Sequence, residues 1–140
     1  MISFQNINTD YVPEKNSADW LKSVIFSEGK IYGDIVVVFC DDKYLLKKNL
    51  AFLNHKSLTD VITFDYSKGN KVSGDILISI ERVKENSKIY NTTFTNELNR
   101  VMVHGVLHLL GYKDKTLKYI ELMKKKKIYI CPLNDFRRKI

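Results

Sequence analysis

His104-Gly105-Val106-Leu107-His108-Leu109-Leu110-Gly111-Tyr112-Lys113-Asp114 is the stretch around which the rest of the chain is read. Its two histidines are four residues apart in an apolar helical pattern, so both side chains leave one helix face with Cβ atoms roughly 5–6 Å apart. Such a pair can hold one tetrahedral ion, each Zn–N bond being about 2.0–2.1 Å. Gly111 breaks the helix and turns the chain. Asp114 follows three residues later. The frame H-x3-H-x5-D has the ligand spacing of the metzincin pattern HExxHxxGxxH, with Asp in place of its last His. A carboxylate binds zinc at a similar distance and widens the choice of metal towards Mn or Fe. The expectation is one zinc ion, or another divalent metal, on His104, His108 and Asp114. His55 (the only other histidine) and Cys131 are alternative third ligands. Asp114 ranks above both because the glycine turn delivers it locally.

Position 105 departs from the protease pattern. The Glu that serves as general base in HExxH enzymes is Gly105 here. Without that Glu a peptidase loses its proton acceptor. The spacing therefore points to a metal-dependent hydrolase with another base or another leaving group. A single His on a half-apolar helix is usually a packed core residue. A pair followed by a glycine break and a carboxylate is harder to reach by accident.

Working outward, residues 95–110 read as the metal-bearing helix, with Thr95 at its start, Glu97 in its first turn and Gly111 as its stop. Upstream, residues 60–66 and 74–80 are strand-like, and Ser67-Lys68-Gly69-Asn70 between them is a turn cluster that predicts a hairpin. Residues 81–90 read as a helix. The strongest strand is residues 35–40, an apolar β-branched run without polar interruption. Residues 2–7 form a weaker strand. A helix capped by Asn16 or Ser17 runs to about residue 27 on an apolar stripe of Trp20, Leu21, Val24 and Ile25, and Gly29 ends it. Asp41 or Asp42 caps another to about residue 53. A last helix is expected over residues 116–129. The fold class is α/β (α+β-like), with residues 1–140 as a single domain. Its core is a small mixed sheet of about four strands covered by four to five helices.

The bulk composition narrows the function. The 140 residues are 44% hydrophobic and 28% charged, ordinary for a globular chain and too apolar for a disordered one. No apolar run approaches the ~18 residues of a membrane span. The start, Met1-Ile2-Ser3-Phe4-Gln5, lacks the features of a signal peptide. Cys40 and Cys131 lie far apart and in no CxxC pair, as expected of a reducing cytoplasm. The sequence has no GxGxxG or GxxxxGK[ST], so no nucleotide cofactor is expected. The net charge of +7 and pI near 9.3 favour anionic partners. Lys115, Lys118, Lys124 to Lys127, Arg137, Arg138 and Lys139 crowd the C-terminal end.

His-Gly-x-Leu-His-Leu-x-Gly-Tyr, as it stands from His104 to Tyr112, resembles the signature of the YbeY family of rRNA maturation endoribonucleases. Thr59-Asp60-Val61-Ile62-Thr63-Phe64 is similar to that family's Thr-Asp-Val-Leu-Ser-Phe strand, and Gly74-Asp75-Ile76 to its Gly-Asp-Ile strand. Phe94-Thr95-Asn96-Glu97-Leu98 looks like its lead into the metal helix, and Asn49 with Phe52 fits its Asn-x-x-Tyr. The resemblance covers about residues 30–130. It implies a cytoplasmic, zinc-dependent, single-strand-specific endoribonuclease that processes the 3′ end of 16S rRNA and serves in ribosome quality control. Single-stranded RNA, rRNA and the small ribosomal subunit are then its partners, with no membrane.

Carried over by position, His104 and His108 are metal ligands, and Asp114 occupies the slot of the family's third His. Leu53 stands where the family has an Arg thought to work near the scissile phosphate. Either another cation takes over, Lys56 being the nearest and the one catalytic candidate, or turnover is slow. Asp75, Asp60 and Glu97 are candidates for orienting the imidazoles. Lys56, Lys113 and the basic C-terminal segment would hold the RNA backbone. Two other classes stay open. One is a zinc hydrolase of peptidase or amidohydrolase type, against which Gly105 stands. The other is a non-catalytic RNA- or ribosome-binding protein with a structural metal, which Leu53 and Asp114 favour.

Overall fold

The structure is a computed structural model that describes residues 1–53 and 59–112. Along the chain run β1 (Ile2–Asn6), α1 (Ser17–Ser27), β2 (Ile31–Cys40), α2 (Asp42–Leu53), β3 (Val61–Asp65), β4 (Lys71–Ser79), α3 (Ile80–Ile89) and α4 (Phe94–Leu109). One four-stranded sheet has the order β1-β2-β4-β3. β2 pairs parallel with both β1 and β4, while β3 returns antiparallel beside β4 as the expected hairpin. This is the mixed α/β architecture read from the sequence. β2 is one of its two interior strands, with β4, and its run from Ile35 to Cys40 is apolar on both sides, as a strand covered on both faces can be.

Register decides which side chains share a face. Val37 pairs with Ile76 and Phe39 with Ile78. These residues belong to the larger core, packed with Leu21 and Ile25 of α1, Val83 of α3, and Leu98, Val101 and Leu107 of α4. The alternate residues Val38, Ile62 and Leu77 point to the other face and pack with Leu45 of α2 in a smaller cluster. Three helices therefore cover one side of the sheet, and α2 covers part of the other.

Several boundaries differ from the sequence reading for identifiable reasons. β2 begins at Ile31 and β4 at Lys71, earlier than expected, because β2 and β4 go on pairing beyond the apolar run, Ile31 with Lys71 and Tyr32 with Val72. The Lys68–Lys71 bridge and the Ile31 N–H bond to the Asn70 carbonyl carry that extension. Its side chains are of mixed exposure, with Ile31, Asp34 and Lys71 exposed and Val72 buried, so no clean apolar alternation marks it. α4 is capped by Thr93 and not by Thr95, with the Thr93 hydroxyl accepting the Asn96 N–H at 3.1 Å. Asp41 caps α2 through the Tyr44 N–H at 2.8 Å, as expected. The helix expected over residues 116–129 lies outside the described residues. So do His55, Lys56, Lys113, Asp114, Cys131 and the basic C-terminal segment. Among the described residues, no helix is long and apolar enough to cross a membrane.

Candidate metal centre

α4 is seated on the sheet through two glycines. Gly105 is buried, and a Cβ at that position would fall 2.6 Å from Cγ2 of Ile76. Gly74, on β4, would place a Cβ 2.4 Å from the Phe64 carbonyl and 2.7 Å from Leu109 Cδ2. Close approach of helix to strand thus requires the absence of a side chain at both positions. This revises the meaning of Gly105. The position where HExxH enzymes carry their Glu faces the sheet here, so packing alone excludes a side chain there.

With that face fixed against β4, His104 and His108 project together from another face of the helix. Both are partly buried. Their Nε2 atoms lie 2.9 Å apart, and their rings are near-parallel at 27° with centroids 4.7 Å apart. Two nitrogens on one tetrahedral ion at about 2.0–2.1 Å sit ~3.3 Å apart. The pair is within a few tenths of an ångström of that, a gap that a small rotation of either side chain closes. Two imidazoles with convergent Nε2 atoms fit a divalent ion of borderline softness. Groups of three or more potential ligands are absent among the described residues, which do not include Asp114.

The helix ends at Leu109, one residue after His108, with Leu110 as its C-cap. Gly111 takes φ +97°, the left-handed conformation that glycine adopts without strain. The Tyr112 N–H reaches the Leu107 carbonyl at 3.1 Å and the Gly111 N–H reaches that of His108 at 3.0 Å, which together form a Schellman ending. Tyr112 is then anchored across the fold, its hydroxyl donating to Glu28 Oε1 at 2.6 Å. That bond to a carboxylate, aided by burial and the Glu28 charge, holds the Tyr112 hydroxyl above its ordinary pKa. The chain that leads to Asp114 therefore leaves α4 from a fixed point.

One helical turn before His104 lies a residue that the sequence reading passed over. Arg100 is only 2% exposed and Glu97 is fully buried. The Arg100 guanidinium donates to both Glu97 oxygens, at 3.3 and 3.0 Å, and to Asp60 Oδ2 at 3.2 Å. A charge this deep persists only when paired. Asp60 and Glu97, considered as supports for the imidazoles, are thus ion-pair partners of Arg100 that tie α4 to the start of β3. Asp75 is a correction. It pairs in register with Val36 and Phe64 and points to the opposite face of the sheet from α4, where it cannot orient the histidines. The signal for Arg100 was present: an acid and a base at i, i+3 inside a helix that is otherwise apolar on its buried sides.

A family model described as Endoribonuclease YbeY matches residues 3–132. The chain is 51% identical over 128 residues to an Endoribonuclease YbeY of Flavobacterium johnsoniae, covering 90% of this chain and 91% of the relative. It is 54% identical over 117 residues to one of Flavobacterium psychrophilum, covering 83% and 84%. Among solved structures it is similar to the solution structure of TM1509 from Thermotoga maritima. That match has a TM-score of 0.60 and 28% identity over 90% of this chain and 86% of the other.

Proposed function

The chain belongs to the Endoribonuclease YbeY family, and we propose that it is a metal-dependent, single-strand-specific endoribonuclease of rRNA maturation. The observation that carries this reading is the convergence of the His104 and His108 Nε2 atoms at 2.9 Å on the one helix that the family signature marks. His104 and His108 hold the ion, zinc in this reading, and Asp114 completes its ligands from the chain beyond Tyr112. When bound, such an ion polarises a phosphoryl oxygen and acidifies a water molecule, the chemistry that phosphodiester hydrolysis needs.

The protein's own groups do the rest. The Gly105–Ile76 contact fixes the rotation of α4, so both imidazoles face the same point. The buried Arg100 cluster anchors that helix to β3, directly after the segment that contains Lys56. Lys56 neutralises the phosphate in place of the family Arg, whose position Leu53 takes. Lys113 and the basic C-terminal segment hold the flanking backbone. Single-strand specificity is part of this reading through the resemblance to the family, and it fits the general rule that sequence-selective RNA recognition works on unpaired strands. Processing of the 16S rRNA 3′ end, ribosome quality control, association with the small ribosomal subunit and a cytoplasmic setting complete the proposal.

The peptidase alternative loses ground to the packing at position 105, since a general base cannot be carried there. The test is elemental analysis of the purified protein beside digestion of single-stranded and duplex RNA, with and without a chelator. One divalent ion per chain with chelator-sensitive cleavage of the single strand is expected. Casein cleavage with intact RNA would replace this reading with the peptidase one. Ribosome association without any cleavage would replace it with a binding protein.

A further inference from the structure

The sheet face opposite α4 carries a groove of about 420 Å³ that the metal centre does not use. Among the described residues, α2 covers part of that face. The remaining floor is apolar, and its rim carries Gln5 from β1, Tyr44 and Lys48 from α2, Phe64 and Tyr66 from the hairpin, and Asp75 from β4. Lys48 Nζ lies 5.4 Å from the Tyr44 ring centroid, and the Tyr66 hydroxyl donates to Asp75 Oδ2 at 3.3 Å. The Tyr66 ring is 60% exposed. The Asp75 carboxylate, which accepts that bond through Oδ2, lines the groove.

This combination selects its occupant. The volume suits a single nucleotide-sized group. Three aromatic side chains, Tyr44, Phe64 and Tyr66, line the groove, the residue type on which a flat base stacks. A carboxylate on the groove wall repels phosphate and accepts from adjacent N–H donors, so the group inside must be a donor-rich base rather than backbone. Guanine alone among the RNA bases places two such donors side by side on its Watson–Crick edge. That edge is available only in an unpaired strand. We propose that this groove takes one unstacked guanine of a single-stranded RNA, with Asp75 accepting from its Watson–Crick edge and Lys48 meeting the adjoining phosphate. The proposal rests on the RNA reading above and adds a base preference away from the point of cleavage.

The test uses metal-stripped full-length protein and nucleoside monophosphates, titrated by calorimetry. No cleavage is involved, so its outcome is independent of whether the metal centre is a nuclease. GMP should bind at least about tenfold more tightly than AMP, CMP or UMP, and IMP, which lacks the 2-amino donor, should fall between. Asp75→Asn should abolish the preference for GMP while the thermal transition stays in place. Lys48→Ala should weaken GMP binding and leave guanosine binding unchanged. Absence of saturable GMP binding, or equal binding of all four nucleotides that Asp75→Asn does not alter, overturns the proposal. So does a protein ligand held on this face that Asp75→Asn releases and GMP does not displace.

Discussion

Gly105 and Ile76 lie so close that a single methyl on the glycine would come within 2.6 Å of the isoleucine's Cγ2. This contact sets how far α4 rotates on the sheet, and hence where both imidazoles point. Gly105→Ala should therefore destabilise the fold by about 1–3 kcal/mol through overpacking, offset in part by the better helix propensity of alanine. Urea denaturation measures the net value. A variant more stable than the parent would mean that the helix is not clamped at this point. Gly105→Glu, which restores the HExxH pattern, should fail to fold rather than gain peptidase activity.

The Arg100 cluster makes a second prediction about stability. Arg100→Met leaves the fully buried Glu97 without its cation and should cost about 3–5 kcal/mol. The double variant Glu97→Gln with Arg100→Met removes the charge mismatch and should recover a large part of that loss. Equal stability of the single and double variants in denaturant would show that the two side chains are not coupled.

Gly111 can be tested through both stability and metal binding. Its φ of +97° lies in the left-handed region, so Gly111→Ala should cost about 1–2 kcal/mol. Because the same turn directs the chain towards Asp114, the variant should also bind zinc more weakly in a competition titration. Unchanged zinc affinity alongside the stability loss would argue that Asp114 is not a ligand.

Alkaline pH should reveal Cys40. Burial, with the charges of Asp41 and Asp42 behind it, pushes its thiol from an ordinary 9.0 up to about 12. The raised value means that the folded state keeps the proton while the unfolded state loses it. The stabilising effect is complete below pH 9 and is lost between there and about pH 12. Cys40→Ala should flatten the decline of stability across that window, read from denaturation midpoints at a series of pH values. An unaltered slope would place the thiol in a less buried setting than its Sγ–H bond to the Ile78 carbonyl indicates.

What was legible in the sequence follows from what local pattern can encode. The histidine pair at i, i+4, the Gly111 stop and the apolar run of β2 are local, and the structure reproduces them. The hairpin was legible from its turn residues. Asp75 was misplaced because strand alternation says that Asp75 and Ile76 face opposite ways without saying which face carries the helices. Gly105 was read as a missing catalytic group, whereas its meaning lies in Ile76, 29 positions earlier in the chain. Arg100 was overlooked because its partner Asp60 is 40 residues away, and only the folded chain brings them together.

The most direct measurement of the central claim is the rate of single-stranded RNA cleavage by metal-stripped protein as zinc is titrated back, compared between the parent chain and His108→Ala. Activity should return in the parent and saturate near one equivalent. In His108→Ala it should stay at background across the same range, with the thermal transition confirming a folded variant. Restoration of cleavage by zinc in His108→Ala to the parent level would contradict the account.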